Sequence, residues 1–166
     1  GSKEDEPERP PCSAASRSAA SGSDVLVQVG FTDVGSLPIA NHMLVLATDP
    51  ATGATFASRS GPGLGPLGLS GVGPWNTAVS GPFDPEFKDY GAVHSVQTIG
   101  FIQASFEDVT AYMSEFAAAT NSFVNPYLIV TGNSNSYASR LLEGLGFDSF
   151  DPALPAPGAG GGRVLK

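Results

Sequence analysis

Two short apolar segments flank a strong turn signal in the first half of the chain. Residues 42–48 (HMLVLAT) form a continuous apolar run of strand length, and residues 54–60 (ATFASRS) roughly alternate apolar and polar side chains. The intervening residues 49–53 (DPATG) contain proline, which fixes φ, and glycine, which permits positive φ, as tight turns require. We therefore predict an antiparallel β-hairpin. This hairpin places His42 at the entrance of a buried strand.

Further elements are predicted by similar patterns. Residues 24–30 and a segment within 91–100 predict strands, whereas residues 61–85 are rich in Gly and Pro and predict a long surface loop. Ser105 and the acidic residues after it resemble a capping box, and apolar residues then recur at helical spacing as far as Thr120. These apolar residues are Phe106, Val109, Tyr112, Met113 and Phe116. We assign them to the core rather than to a cofactor site.

A second helix is predicted towards the end of the domain. An apolar run at 127–130 is followed by Gly132, and the polar cluster 133–136 (NSNS) then opens an amphipathic helix that extends to Leu145. Ser134 therefore lies at a helix N-terminus, where free backbone N–H groups and the positive end of the dipole favour developing negative charge. Either the cluster only caps the helix, since Ser and Asn are preferred caps, or Ser134 is a reactive group.

Length and composition indicate one folded unit with two flanking segments. The chain has 166 residues, which suits a single domain with one core. Residues 1–23 are mainly Ser, Ala, Pro and charged residues, as in a disordered leader or linker, and Gly1-Ser2 resembles a cloning scar. The predicted domain covers 24–150, and 151–166 form a Pro/Gly-rich tail. We predict an α+β fold, with a small, mainly antiparallel sheet packed against two or more helices.

Charge and residue usage exclude several classes of function. Sixteen acidic against eight basic residues give a formal charge of -8, which argues against nucleic acid as a partner. No apolar run reaches the roughly 18 residues of a transmembrane segment, so we expect a soluble chain, whose compartment is left open. Cys12 is the only cysteine, and His42 and His94, the only histidines, lack zinc-ligand spacing. We therefore predict no metal and no cofactor.

Ser134 needs a base if it is to act as a nucleophile, because a free hydroxyl is almost never ionised at neutral pH. His42 at a strand entrance and Ser134 at a helix entrance can meet at one rim of the sheet, with backbone N–H groups of residues 134–136 as an oxyanion hole. Other polar residues would orient the imidazole or add a donor, namely Asn133, Asn135 and Ser136. His94 is the weaker candidate base. The structural alternatives are a strand-edge histidine bonded to backbone and a serine that only caps.

The order of these motifs resembles the circularly permuted branch of the papain-like superfamily. This branch includes PPPDE-type peptidases, lecithin:retinol acyltransferase-like enzymes and many bacterial toxin-associated domains. Residues 42–53 with 59–62 (RSGP) match the part that carries the family histidine, and residues 133–142 (NSNSYASRLL) match the helix that carries the nucleophile. Residues 156–160 (APGAG) are similar to a Pro-Gly segment that follows this helix in some bacterial relatives. The resemblance implies a permuted papain-like fold over residues 24–160.

The chain departs from this family at Ser134, which stands where the family nucleophile is a cysteine in an Asn-Cys-Asn-like motif. Serine is far less acidic, so a helix dipole that generates a thiolate would not generate an alkoxide. Three explanations stay open. The domain is a natural serine variant with His42 as base, a degenerate member that binds without cutting, or an engineered Cys-to-Ser variant of a toxic enzyme.

The resemblance implies a bacterial hydrolase or acyltransferase domain that acts on an amide or ester bond through Ser134 and His42. The substrate would be a peptide, a lipid or another amide or ester. The resemblance also implies an effector or toxin domain of a larger secreted protein. Two alternatives without catalysis are a papain-like binding module that uses residues 61–85 as its contact surface, and an accessory domain in which the polar cluster only caps the helix.

Overall fold

An antiparallel β-sheet is the framework on which both helices pack. The computed structural model describes residues 15–16, 24–34, 37–63, 75–122, 134–147 and 151–156. The strands within these residues are β1 (Ala15–Ser16), β2 (Val25–Val34), β3 (Leu37–Thr48), β4 (Thr55–Gly63), β5 (Trp75–Pro82) and β6 (Ser95–Ile102). The helices are α1 (Phe106–Asn121) and α2 (Ser134–Gly144), with a short 3-10 helix at Tyr90–Ala92. The sheet order is β1-β6-β2-β3-β4-β5, with antiparallel neighbours throughout. The predicted α+β class is confirmed.

Several predictions concern residues outside the described ranges. They include most of the leader at 1–23, the apolar run at 127–130, Asn133 and the tail beyond residue 156. Among the residues that the structure does describe, neither helix is long and apolar enough to cross a membrane.

The predicted hairpin is formed by β3 and β4. Their ladder runs from Val45 opposite Ser58 to Thr48 opposite Thr55, and Gly53 turns the chain with a φ of 80°. The placement of His42 at the strand entrance is wrong, because β3 begins five residues earlier, with Leu37 opposite Val34 of β2 and Asn41 opposite Asp33. His42 therefore lies within β3, opposite Thr32 of β2.

The prediction of one long loop over residues 61–85 is also wrong at both of its ends. β4 continues to Gly63, and Trp75–Pro82 forms β5, which pairs with β4. β5 has a single neighbour in the described sheet, and an edge strand tolerates Pro and Gly because it loses fewer ladder hydrogen bonds there. Residues 64–74 lie outside the described ranges.

The edge of β5 is covered by a side chain from the end of α1. Asn121 Oδ1 accepts the Ala78 N–H at 2.7 Å, and Asn121 Nδ2 donates to the Ala78 carbonyl at 2.8 Å. A side-chain amide thus satisfies backbone groups that would otherwise attract another strand.

Strand β3 is buried on both faces, which explains its continuous apolar sequence. One face packs with β2 against the helices, and its buried residues include Val27, Val29, Phe31, Met43, Val45, Val109, Met113, Leu141 and Leu142. On the other face Leu44, Leu46 and Ala57 pack with Phe87. Phe87 therefore fixes the segment between β5 and β6 against the sheet.

The predicted start and core face of α1 are confirmed. Ser105 is the N-cap, and its hydroxyl accepts the Asp108 N–H at 3.0 Å. Val109 and Met113 are fully buried, and the other predicted stripe residues pack against the same core while partly buried. The cap and the 3.6-residue period depend on residues close together in the sequence, so the sequence alone predicts this helix correctly.

A buried chain of hydroxyl groups links the helices to the sheet. Tyr137 Oη on α2 lies 2.7 Å from Ser58 Oγ, which lies 2.7 Å from Ser80 Oγ on β5. Ser80 Oγ donates to the Met113 carbonyl on α1 at 3.3 Å. Burial raises the pKa of the Tyr137 phenol to about 12, because the hydrogen bonds with Ser58 and Ser80 only partly offset desolvation.

Folding stability is expected to fall in alkali because of Tyr137. The folded state favours its neutral phenol, so this contribution is complete below the unfolded pKa of 10.0 and is lost as pH rises towards 12. A shift of this size corresponds to roughly 2–3 kcal/mol. We expect Tyr137→Phe to cost about 1 kcal/mol at pH 7 and to flatten the decline above pH 10. Guanidinium unfolding at pH 7 to 12 measures both effects, with the exposed Tyr90→Phe as control; an equally steep decline in Tyr137→Phe would contradict the assignment.

Candidate active site

Strands β3 and β4 separate at the point where α2 begins. Their described ladder ends at Val45 and Ser58, and Asn135 from the first turn of α2 takes the place of the missing neighbour. Its Oδ1 accepts the Met43 N–H at 2.7 Å, and its Nδ2 donates to the Asn41 carbonyl at 2.8 Å. Backbone groups two residues apart on a strand point the same way, so one amide side chain can bind both. Asn135 therefore clamps α2 onto β3 on either side of His42.

This clamp brings together the two residues that the sequence singled out as a pair. The Ser134 hydroxyl and His42 Nδ1 are in hydrogen-bonding contact. Both side chains are largely shielded from solvent: Ser134 is 3% exposed and the His42 side chain 12%. Ser134 is the first residue of α2, so its hydroxyl lies beside the free backbone N–H groups of the first helical turn.

A carboxylate completes the arrangement on the far side of the imidazole. Asp89 Oδ2 lies 3.0 Å from His42 Nε2. Asp89 immediately precedes the 3-10 helix, and its side chain makes no capping hydrogen bond there, which leaves the carboxylate directed at His42. Asp89 is not among the residues predicted from the sequence, because no motif surrounds it. The one local hint is Phe87, an apolar residue in a polar segment that packs on the sheet and so fixes Asp89 two residues later.

Arg59 on β4 binds the same carboxylate oxygen. Its Nε lies 2.6 Å from Asp89 Oδ2 and 3.2 Å from His42 Nε2. If Nδ1 accepts the Ser134 proton, then Nε2 must carry the other imidazole proton and cannot accept one from Arg59. We therefore assign both N–H groups, from Arg59 and from His42, as donors to Asp89 Oδ2. Arg59 Nε and His42 Nε2 lie close together because both donate to Asp89 Oδ2.

The ionisation of Asp89 is set by these partners. Burial alone would raise the pKa of this carboxyl group, but the hydrogen bond with His42 and the charge of Arg59 outweigh burial and hold the pKa below its usual 3.8. Asp89 is thus a carboxylate at neutral pH. It stabilises the folded site above about pH 4, and this stabilisation is lost as the pH falls through the lowered pKa.

The other predicted site residues have different surroundings. Asn133 lies outside the described residues, and Ser136 is fully buried in the first turn of α2. Both polar atoms of the Asn135 amide are engaged by the backbone of β3. No cluster of three or more potential metal ligands occurs in the described part of the chain.

His94 belongs to a separate cluster. Its Nε2 lies 2.9 Å from Asn41 Oδ1 and 3.3 Å from Asp33 Oδ1, and its Nδ1 lies 3.0 Å from Ser95 Oγ. Asn41 in turn donates its N–H and its side-chain amide to the Pro155 carbonyl, at 2.8 and 2.9 Å. This cluster thus fastens part of the C-terminal segment beside β3, and His42 is the histidine that contacts Ser134.

Comparison with known proteins adds one solved structure of similar fold. No protein-family model matches this sequence, and no curated protein does. The crystal structure of the type VI secretion system effector TseH is similar over 88% of this chain and 90% of that chain, with a TM-score of 0.54 and 15% sequence identity. At this identity the likeness shows a shared fold.

Proposed function

We propose that this chain is a bacterial effector domain with hydrolase or acyltransferase activity towards an amide or ester bond. Ser134 is the nucleophile, His42 the general base and Asp89 the residue that orients the imidazole. One observation carries this proposal, namely the continuous contact from Ser134 Oγ through both nitrogens of His42 to Asp89 Oδ2. A nucleophile, a base and a group that orients the base are the elements that acyl transfer to serine needs.

The mechanism follows from these contacts. Ser134 Oγ attacks the substrate carbonyl while its proton passes to His42 Nδ1, and Asp89 stabilises the imidazolium through Nε2–H. Backbone N–H groups of residues 134–136 stabilise the oxyanion of the tetrahedral intermediate. The intermediate collapses as His42 returns the proton to the leaving amine or alcohol. The acyl group, now an ester on Ser134, then passes to water in a hydrolase or to another acceptor in a transferase.

Three explanations were given for the serine at position 134. The contact between Asp89 and His42 supports the first of them, that the domain is a natural serine variant. A serine gains little from the helix dipole and depends on a base that is held in one tautomer, which Asp89 provides. The same contacts would also serve a cysteine at this position. The geometry therefore supports an acyl-transfer site, and the identity of the native nucleophile is tested separately in the Discussion.

The effector assignment rests on two separate likenesses. The motifs around His42 and Ser134 resemble permuted papain-like domains, and the fold is similar to that of TseH, a type VI secretion system effector. Delivery out of the producing cell is consistent with both. We therefore propose that the domain acts after secretion, as part of a larger protein or beside a partner protein.

The low exposure of Ser134 favours a second candidate function. With 3% of its surface exposed, this residue leaves little room for a substrate carbonyl. A papain-like binding module without catalysis, or an accessory domain of a secreted protein, would retain such a closed site. This candidate predicts that Ser134 can be replaced without loss of binding.

Labelling with a fluorophosphonate, which phosphonylates activated serines, distinguishes the two functions. We expect one adduct, on Ser134, that disappears in Ser134→Ala and forms at least about 100-fold more slowly in His42→Ala, because the base is removed. Intact-protein mass spectrometry with peptide mapping measures the adduct. Ser105 is a matched control, since it also lies at a helix N-terminus, where its hydroxyl accepts the Asp108 N–H and neither histidine is in contact with it, and it should remain unlabelled.

Each other outcome of the labelling has a definite meaning. An adduct that persists in Ser134→Ala would assign the reactivity to another serine and remove the proposed site. A folded wild-type protein that forms no adduct would favour the closed, non-catalytic site of the second candidate over a serine enzyme. If Ser134→Cys were then also unreactive towards thiol reagents, the binding module would be the better description.

A further inference from the structure

Arg59 occupies an unusual position for a buried cation, because it lies against the base of the proposed site. Its side chain is 9% exposed, and its Nε lies 3.2 Å from His42 Nε2. The proposed reaction makes an imidazolium at His42, so a guanidinium at this distance opposes the charge that develops. Asp89 contacts both side chains, and its negative charge stabilises a positively charged imidazole. The two neighbours of His42 therefore act in opposite directions.

The backbone leaves space for this guanidinium at Gly61. A Cβ at residue 61 would lie 2.6 Å from Arg59 Nη2 and 3.3 Å from Arg59 Cζ. Residues 59 and 61 point to the same side of β4, so the side chain of Arg59 lies over Gly61. A larger residue would push aside the Nη2 end of the guanidinium, which is the flexible end of the Arg59 side chain.

Few other charges face His42. Asp89 comes from the segment before β6, and Lys88 beside it also acts on Asp89. The N-terminus of α2 contributes the positive end of its dipole and the hydroxyl of Ser134. On β2, the residue opposite His42 is the uncharged Thr32. Arg59 and Asp89 are therefore the charged side chains in direct contact with the imidazole among the described residues.

We propose that Arg59 is a positioning residue that fixes Asp89 Oδ2 against His42 Nε2 and whose charge opposes the effect of Asp89 on the imidazole. This inference rests on the proposed function, in which His42 is a general base. The shared acceptor explains why a buried arginine lies next to a residue that must become positively charged. Without Arg59, the charge of Asp89 next to the imidazole would be unopposed, and Asp89 Oδ2 would lose one of its two partners.

The test is an NMR titration of the two histidines in the full chain. The His42 signal is identified by its loss in His42→Gln, and His94 serves as an internal reference because it lies in a different cluster. We expect Arg59→Gln, which removes a positive charge beside the imidazole, and Asp89→Asn, which removes a negative one, to move the midpoint of the His42 titration in opposite directions. Arg59→Lys, which keeps the charge, should leave the midpoint close to that of the wild type. The double variant Arg59→Gln/Asp89→Asn should also lie near the wild type.

Gly61→Ala provides a second variant in which no charge is removed. Its Cβ displaces the guanidinium, so we expect the His42 midpoint to move in the same direction as in Arg59→Gln, by a smaller amount. A folded Arg59→Gln protein with an unchanged midpoint would overturn the proposal and leave Arg59 as an anchor for the Asp89 segment. This titration needs no substrate. Failure of the fluorophosphonate labelling would therefore be recognised separately from failure of the role given to Arg59.

Discussion

Replacing Ser134 by Cys, in a chain from which Cys12 has been removed, is expected to give a thiol with a pKa of about 5 to 6 instead of the usual 8.5 or so. Two features of the site favour the thiolate. The hydroxyl that the thiol replaces contacts His42 Nδ1, which can take up the proton and remain beside the sulfur as imidazolium. The free N–H groups and the dipole at the start of α2 stabilise the negative charge. Ultraviolet absorbance of the thiolate, followed from pH 4 to 10, measures the pKa.

Ser105→Cys is the matched control for this titration. It places a thiol at the N-terminus of α1, where the hydroxyl contacts the Asp108 N–H and no imidazole. The difference between the two thiols therefore isolates the effect of the His42 site from that of a helix end. A third variant, Ser134→Cys with His42→Ala, should return the pKa most of the way to that of the control.

The titration also bears on the origin of Ser134. A strongly acidic thiol at position 134, together with a wild-type protein that does not react with fluorophosphonates, would show a site that suits a cysteine nucleophile and would exclude the natural serine enzyme, leaving the degenerate member and the engineered variant. A fluorophosphonate adduct on the wild type would identify a serine enzyme. A thiol at position 134 that titrates like the one at position 105 would show that His42 does not support a thiolate, and the cysteine-enzyme origin would be excluded.

The second large effect is expected at Asn135. Asn135→Ala should lower the free energy of unfolding by about 3–4 kcal/mol, because the Met43 N–H and the Asn41 carbonyl would lose their partner inside the protein. Asn135 itself is 3% exposed, so water cannot easily replace the lost amide. Unfolding in guanidinium at neutral pH measures the change.

Asn121→Ala is the natural comparison for this prediction. Asn121 makes the same pair of hydrogen bonds to the N–H and carbonyl of a strand residue, Ala78, with nearly equal distances. It lies at the edge of the sheet and is only partly buried, so water can take over both backbone groups and we expect a loss of about 1 kcal/mol. Equal losses in the two variants would mean that the clamp at Asn135 is not protected from solvent and does not fix α2 against β3.

Several features of the fold were predictable because their causes lie within a few residues. The β3–β4 turn depends on Gly53 and the residues just before it, and the start of α1 depends on the Ser105 cap. The start of α2 at Ser134 follows from a polar cluster after an apolar run. Local composition is misleading for β5. β5 contains Gly and Pro and was predicted as loop, although pairing with β4 at the sheet edge makes it a strand.

The sequence by itself thus determined the hairpin and the helix starts, because turn chemistry, capping and periodicity act over short distances, and it singled out His42 and Ser134 as residues able to meet. Only the tertiary structure decided what surrounds that pair. Asp89 lies 47 residues from His42 along the chain, and Arg59 lies on the neighbouring strand. No spacing rule connects these residues. They meet because β3 separates from β4 at the start of α2 and because Phe87 holds the Asp89 segment against the sheet, and both are consequences of long-range packing.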